Sequence, residues 1–329
     1  ALEGAERGQL LSSLFITAVG HMRQGHAWLV RKDVDGYQEA SRRFREAIEL
    51  SEQLEVPRLK IEAFWGLCQA HGFQGDLAEA RRVAEQGIGM AQAVGDEWVE
   101  ACIRTSMGAG YALAGRYSDA VSWLNQAGDA FRACTDTHGE SLARMWLCLV
   151  WLKTGDNTRL ARDTVDLLNL VSEHGYSFLF RRKTLLGPPD PRSLAPILLF
   201  ARQQGLSSYA ETLLNQMGLA GVERHPGFQL KVQTLGPFRV WRGSLEIMAE
   251  AWRRKKARQL FQLLLTSRGG KMERDQIVEL LWPELGPDEA ERDFKIAMSA
   301  LYGVLEPARA RNAPSAFIER DGTLYGLRP

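Results

Sequence analysis

The sequence predicts a mostly α-helical chain in two parts: a solenoid of stacked helix hairpins, then a smaller domain mixing short strands with three helices. Three observations predict it. A phrase recurs with its glycine at Gly36, Gly75, Gly115 and Gly155, separations of 39, 40 and 40, and a fixed period in this range marks a solenoid. Apolar residues between the glycines fall at helical spacing. Near residue 222 the grammar changes to short alternating segments split by turns.

The phrase reads "DGYQEA" at 35–40, "GDLAEA" at 75–80 and "GRYSDA" at 115–120, with a weaker copy, "GDNTRL", at 155–160. Gly75 ends one helix, because it tolerates the left-handed backbone there, and Asp76 caps the next. Leu77, Ala80, Val83 and Ala84 share one face of that helix, and the preceding helix carries Phe64, Trp65, Leu67 and Cys68. Such a hairpin buries its apolar face only by stacking on its neighbours. A fifth pair is expected from Ser193 to Leu219, with Gly205 in the glycine's place. Between the fourth and fifth lies "FLFRRKTLLGPPDPRS", 178–193, whose Gly187, Pro188, Pro189 and Pro191 rule out a continuous helix. Its basic step Arg181, Arg182, Lys183 suits either an anionic partner or a solvated helix C-terminus.

We place the domain boundary at 222/223, beside Gly221, Pro226 and Gly227. Strand signals follow in "LKVQTL", "FRVW" and "LEI", then helical periodicity in "RRKKARQLFQLLLTSRGG", ended at Gly269 and Gly270. A short helix, "ERDQIVELLW", stops at Pro283. A longer one occupies "GPDEAERDFKIAMSALYGVLEP", and "AFIERDGTLYGL" reads as a hairpin about Asp321-Gly322. Strands, three helices and a closing hairpin in this order spell a winged helix-turn-helix with a small β-sheet and a wing.

The repeat phrase resembles tetratricopeptide repeats, in the longer-helix form of the MalT-like bacterial regulators. The segments "LGPFRVWRG", "RRKKARQLFQLLL", "ELLWPEL", "ALYGVLEP" and "YGL" resemble the OmpR/PhoB-type DNA-binding domain. They resemble still more its version in SARP/AfsR-like transcriptional activators. The resemblance covers essentially all of 230–329. It implies a third helix in the major groove of promoter DNA, contact with RNA polymerase, and in several relatives an upstream nucleotide-binding STAND module. No GxxxxGK[ST] occurs here, so this chain carries no such module. "RGGKM" at 268–272 is a turn, and "GAGYALAG" at 108–115 is a helix-packing segment.

In the third helix, Phe294, Met298, Leu301 and Leu305 are spaced 4, 3 and 4, the face that packs on the core. Arg292, Lys295, Ser299 and Tyr302 then lie on the outer face, with Ile296, Ala300 and Gly303 beside them. Arg292 and Lys295 suit phosphate or guanine, Ser299 and Tyr302 suit hydrogen bonds, and Ile296 suits a thymine methyl. The face is short of arginines compared with the winged-helix relatives. Positive charge lies elsewhere: Arg253, Arg254, Lys255, Lys256 and Arg258 open the first helix, and Arg320 stands on the wing with Thr323 and Tyr325. Phosphate contacts from these can position the domain while the third helix reads a few bases. Trp282 offers an N–H to a phosphate and suits a core equally well.

From Lys231 onward there are 17 Lys+Arg and 13 Asp+Glu, although the whole chain is only +1. That allows nucleic-acid contact without demanding it. The cysteines Cys68, Cys102, Cys134 and Cys148 form no CxxC pair and read as reduced core residues of a cytoplasmic protein. The scattered histidines suggest no metal site, and no cofactor is expected. No apolar run approaches the ~20 residues of a membrane span, and no signal peptide is visible. A start at Ala1 without methionine fits a processed or cut-down form of something longer.

The expected function is a DNA-binding transcriptional regulator. The repeats sense a signal or mediate assembly, a protein or peptide occupies their groove, and the winged helix binds double-stranded promoter DNA as a homo-oligomer. The alternative is a protein-interaction scaffold whose winged helix docks protein. No paired acid/base set or nucleophile constellation points to an enzyme.

Overall fold

The computed structural model describes residues 8, 10–267, 270–310 and 313–328. The chain forms two compact units, Ala1–Gly218 and Leu219–Pro329.

The first unit is a run of antiparallel helix pairs: α1 (Leu14–Leu29) with α2 (Val34–Leu54), α3 (Pro57–Gln74) with α4 (Leu77–Val94), α5 (Glu97–Leu113) with α6 (Tyr117–Ala133), and α7 (Thr137–Thr154) with α8 (Asn157–His174). A shorter pair follows, α9 (Ala195–Gln203) and α10 (Tyr209–Gln216), with Gly205 at φ +63 between them.

The period is written in left-handed residues. Within the hairpins they are Lys32, Gly75, Gly115 and Gly155, with φ of 57, 86, 75 and 74. Between hairpins they are Glu55, Gly95, Thr135 and Gly175. Aspartates cap the following helices: Asp33 accepts from Gly36 N–H at 2.7 Å, and Asp76, Asp96, Asp136 and Asp156 do the same for their own helices.

The first copy of the phrase departs from the other three. Gly36 does not end a helix; it lies inside the first turn of α2. Lys32 occupies the helix-stop position of the first hairpin. Gly36 serves a different need, since a Cβ there would lie 2.8 Å from the Trp28 carbonyl oxygen.

The first helix of each pair is the inner one. Twelve of 18 residues of α7 are buried against six of 18 in α8, and a helix apolar all round belongs in an interior. Glycines let large side chains reach between helices. Phe44 of α2 fills the space over Gly25 and Gly66, where a Cβ on Gly66 would come within 2.1 Å of its ring. Phe131 does likewise over Gly139.

A polar brace repeats with the helices. Arg104 joins Glu100 on its own helix to Gln126 on α6, and forty residues later Arg144 joins Glu140 to Asp166 on α8. Cys68, Cys102 and Cys148 are buried in this unit. Cys134 corrects the sequence reading, because it is half-buried at the end of α6.

The second unit begins with an antiparallel sheet in the order β1 (Leu230–Gln233), β2 (Arg239–Arg242), β3 (Leu245–Glu246). Then come α11 (Lys255–Thr266), β4 (Met272–Glu273), α12 (Arg274–Leu281), α13 (Pro287–Leu305) and the hairpin β5 (Ile318–Asp321), β6 (Leu324–Leu327). Strand β4 joins that hairpin in a second sheet, order β4-β6-β5, and Gly322 turns it at φ +59. Helix α11 ends at Thr266; Gly269, read as part of its stop, lies outside the described residues.

The core gathers Leu260, Phe261 and Leu264 of α11, Ile277 of α12, and Phe294, Met298, Leu301 and Leu305 of α13 around Trp252 and Trp282. A buried carboxylate ties the end of α13 to the hairpin. Glu306 accepts from Ala316 N–H at 2.9 Å and from the Ser315 hydroxyl, which in turn accepts from Ile318 N–H. No helix among the described residues is long and apolar enough to cross a membrane.

Candidate functional site

In the second unit, the apolar stripe of α13 packs inward and leaves Arg292, Lys295, Ser299 and Gly303 exposed. Ile296 and Tyr302 are half-buried at its margins. Two clefts flank the exposed face. One, of about 190 Å³, is lined by Arg254, Lys255 and Lys256 of the α11 start together with Asp293 and Trp282. The other, of about 440 Å³, brings Lys295, Ser299 and Tyr302 together with Arg309 and Arg320.

The α11 cations are placed against their own helix. Arg254 is at the N-cap, Lys255 and Lys256 follow, and no acidic residue stands in the first turn. Cations at the positive end of a helix dipole are unfavourable by themselves, whereas an anion at that end is favoured. Arg253, just before, is exposed with φ +50. Two of the group are committed to the fold. Lys256 donates to the Leu281 carbonyl and lies 5.4 Å over the Trp282 ring. Arg258 donates to the Phe238 carbonyl at 3.0 Å. Trp282 is a core residue, 3% exposed, and its Nε1 finds no partner among the described residues.

On the other side, two tyrosines expected at the surface lie beneath arginines. Tyr325 is buried, with its ring 5.2 Å from that of Phe294 and Arg320 5.6 Å above it. This corrects its assignment as a contact residue: Arg320 pairs with Tyr325 across the hairpin, so both share one face and the arginine covers the ring. Tyr302 is covered in the same way by Arg309 at 4.2 Å. Burial, then the neighbouring Tyr325, raises the Tyr302 phenol above its ordinary pKa. Both arginines and both tyrosines line the cleft, and Arg309 and Arg320 also donate to the Ala313 and Gly322 carbonyls. Arg309 was missed in the sequence because it stands beyond α13 in "EPARA", where no periodicity marks a face. Thr323 is exposed at the hairpin turn, and its carbonyl accepts from Arg274 N–H at 2.9 Å.

Acidic groups temper the surface. Glu291 pairs with Lys295 at 2.9 Å and with Arg274 at 3.6 Å, and the hydrogen bond from Lys295 holds its carboxyl below the ordinary pKa. Lys271 on the hairpin side is paired with Glu319 and Asp321. Among the described residues, no group of three or more His, Cys, Asp or Glu is placed to hold a metal ion.

The first unit holds a second candidate, the groove along its inner helices. The chain's own segment 181–190 occupies it. The Leu185 carbonyl accepts from Lys32 Nζ at 2.6 Å and from Gln69 of α3. The Leu186 carbonyl accepts from Trp146 Nε1 of α7 at 2.7 Å. Lys183 reaches back to the Arg31 carbonyl at 2.8 Å, whereas Arg181 and Arg182 are exposed. Phe73 of α3 touches the Trp146 ring, and Lys32 Nζ lies 4.4 Å over Phe73. Burial, then the neighbouring Lys183, pushes the Lys32 pKa down to about 7.

The tetratricopeptide repeat model matches residues 61–86, from the body of α3 into α4. No curated protein matches the chain. Solved structures with a similar chain path include a Rap protein complexed with competence and sporulation factor, at 12% identity and TM-score 0.44, covering 65% of this chain and 66% of that one. Another is BtubC (BKLC) from P. vanneervenii, at 15% identity and TM-score 0.45, covering 72% of this chain and 94% of that one. The first unit is a tetratricopeptide-type helical repeat.

Proposed function

We propose that this chain is a DNA-binding regulator in which the second unit is a winged helix-turn-helix and the first mediates assembly or sensing. The observation that carries the reading is the flanking of one exposed helix face by two cation-lined clefts. Arg292, Lys295 and Ser299 of α13 stand between Arg254 and Lys255 on one side and Arg309 and Arg320 on the other. Arginines and lysines on both flanks suit the two phosphate chains bordering a major groove, and the helix between them suits base edges. The order of sheet, three helices and hairpin supports the same reading.

The division of labour follows from the charges. Glu291 engages Lys295, so the helix face offers little bidentate readout, and most of the affinity comes from phosphate contact. One such module binds weakly, and two held together by the repeats gain by effective concentration. Binding of a fluorescent random-sequence duplex, followed by enrichment of bound sequences, tests the proposal. Binding that Arg254→Ala and Arg320→Ala weaken on all sequences, with enrichment of a short motif, is the expected result. No binding at low salt by the assembled chain contradicts it.

One observation favours a second reading, in which this face docks protein. Asp288, Glu289 and Glu291 crowd the start of α13 and repel a phosphate chain that approaches there. The enrichment experiment separates the two, since a protein-docking face selects no motif.

A further inference from the structure

The inner helices of the repeats hold the chain's own segment 183–190 through polar side chains. Two consecutive carbonyls of the segment, at Leu185 and Leu186, are held by three side chains drawn from α3, α7 and the α1–α2 turn. Leu185 packs on the core cluster beneath, and Leu186, Gly187 and Pro188 are buried. This is side-chain capture of a bent main chain, closed by the Gly187 N–H donating to the Thr184 carbonyl at 3.3 Å, by parts of the fold far from it in sequence.

Lys32 is shaped for the task. It stands where the next two hairpins have Gly75 and Gly115, and it keeps their left-handed backbone, which a side chain adopts only at a cost. Its ammonium runs into the groove, 7% exposed, and meets there a neutral carbonyl, an aromatic face and no carboxylate among the described residues.

The occupant leaves this site under-satisfied. Gln69 Oε1 and Thr184 Oγ1 are buried without partners among the described residues. The Lys32 ammonium is buried against a neutral acceptor, with Lys183 as a further cation nearby. A buried cation is stabilised by an opposite charge far more than by a carbonyl. The groove therefore has affinity in reserve for a ligand that also brings negative charge.

We propose that segment 183–190 is a resident pseudo-ligand, and that the groove takes in its place a partner peptide with the same bent path, two adjacent leucine-sized side chains and an acidic group set against Lys32. The inference rests on the repeats being an interaction array, and it is independent of whether the second unit binds DNA. Displacement of the segment is then the event by which a partner is sensed.

The test uses the full chain and two fluorescein-labelled peptides: the segment's own sequence from 182 to 191, and the same peptide with Lys183→Glu. Binding is measured to the wild type and to a Leu185→Ala/Leu186→Ala variant whose own segment is weakened. The variant is expected to bind both peptides at least tenfold more tightly than the wild type, with the acidic peptide the tighter. Adding Lys32→Met to the variant removes the acidic peptide's advantage. Equal binding by wild type and variant, or a variant of native helicity that binds neither peptide, overturns the proposal. Hydrogen exchange on the wild type covers the case in which the variant does not fold. Saturating acidic peptide is expected to deprotect the amides of 184–187, and unchanged protection at saturation overturns the proposal.

Discussion

Lys32 donates a 2.6 Å hydrogen bond to the carbonyl of Leu185, across 153 residues of sequence. The bond closes the last full hairpin's exit segment onto the first hairpin, and it buries the Lys32 side chain between them.

That cation makes stability depend on pH in a definite direction. The folded Lys32 titrates at about 7, below its ordinary 10.5, because burial disfavours its charged form. Between these values the unfolded chain binds the extra proton, so stability rises with pH. The penalty is complete below about pH 7 and fades toward pH 10. Urea unfolding of wild type and Lys32→Met should diverge over that window by up to about 1.4 kcal/mol per pH unit. Parallel pH profiles for the two proteins would show that Lys32 stays charged in the fold.

Packing of Phe44 into the glycine gap predicts an asymmetric pair of mutants. Gly66→Ala forces a methyl group into the Phe44 ring and should destabilise the first unit by about 1–3 kcal/mol. Gly89→Ala, in the interior of α4 with nothing within 4 Å of its Cβ, should stabilise by up to about 1 kcal/mol through helix propensity. Thermal unfolding of the two variants checks both signs.

The Glu306 link to the hairpin predicts a local effect in the second unit. Glu306→Ala leaves the buried Ala316 N–H and Ser315 hydroxyl without their acceptor, and a lost charge-assisted bond costs about 1.5–3 kcal/mol. Amide exchange in β5 and β6 should accelerate more than exchange in α11. Uniform acceleration across the unit would mean that Glu306 stabilises the core rather than the hairpin.

Much of this was legible in the sequence, and what was not has physical causes. Gly75, Gly115 and Gly155 announce their left-handed positions because glycine adopts them freely. Lys32, Glu55 and Thr135 hold the same backbone and look like ordinary polar residues, so the first hairpin was placed on Gly36, four residues late. The inward face of α13 was readable from Phe294, Met298, Leu301 and Leu305, since helical spacing reports burial directly. Tyr302 and Tyr325 were not, because what covers them, Arg309 and Arg320, depends on tertiary contact. The groove segment read as a proline-broken insertion; its role depends on Lys32, Gln69 and Trp146, which the fold alone brings to it.

A salt titration of DNA affinity tests the central claim most directly. Anisotropy of a labelled duplex is measured from low to moderate salt for the wild type, for Arg254→Ala/Lys255→Ala and for Arg292→Ala. The log of affinity should fall linearly with log salt, by roughly 0.9 per phosphate contacted. The paired substitution should flatten that slope by roughly 1–2 and weaken binding on every sequence, whereas Arg292→Ala should act mainly on the preferred sequence. An affinity that ignores salt, or the same slope for all three proteins, would contradict a groove-bound α13 held between two cationic flanks.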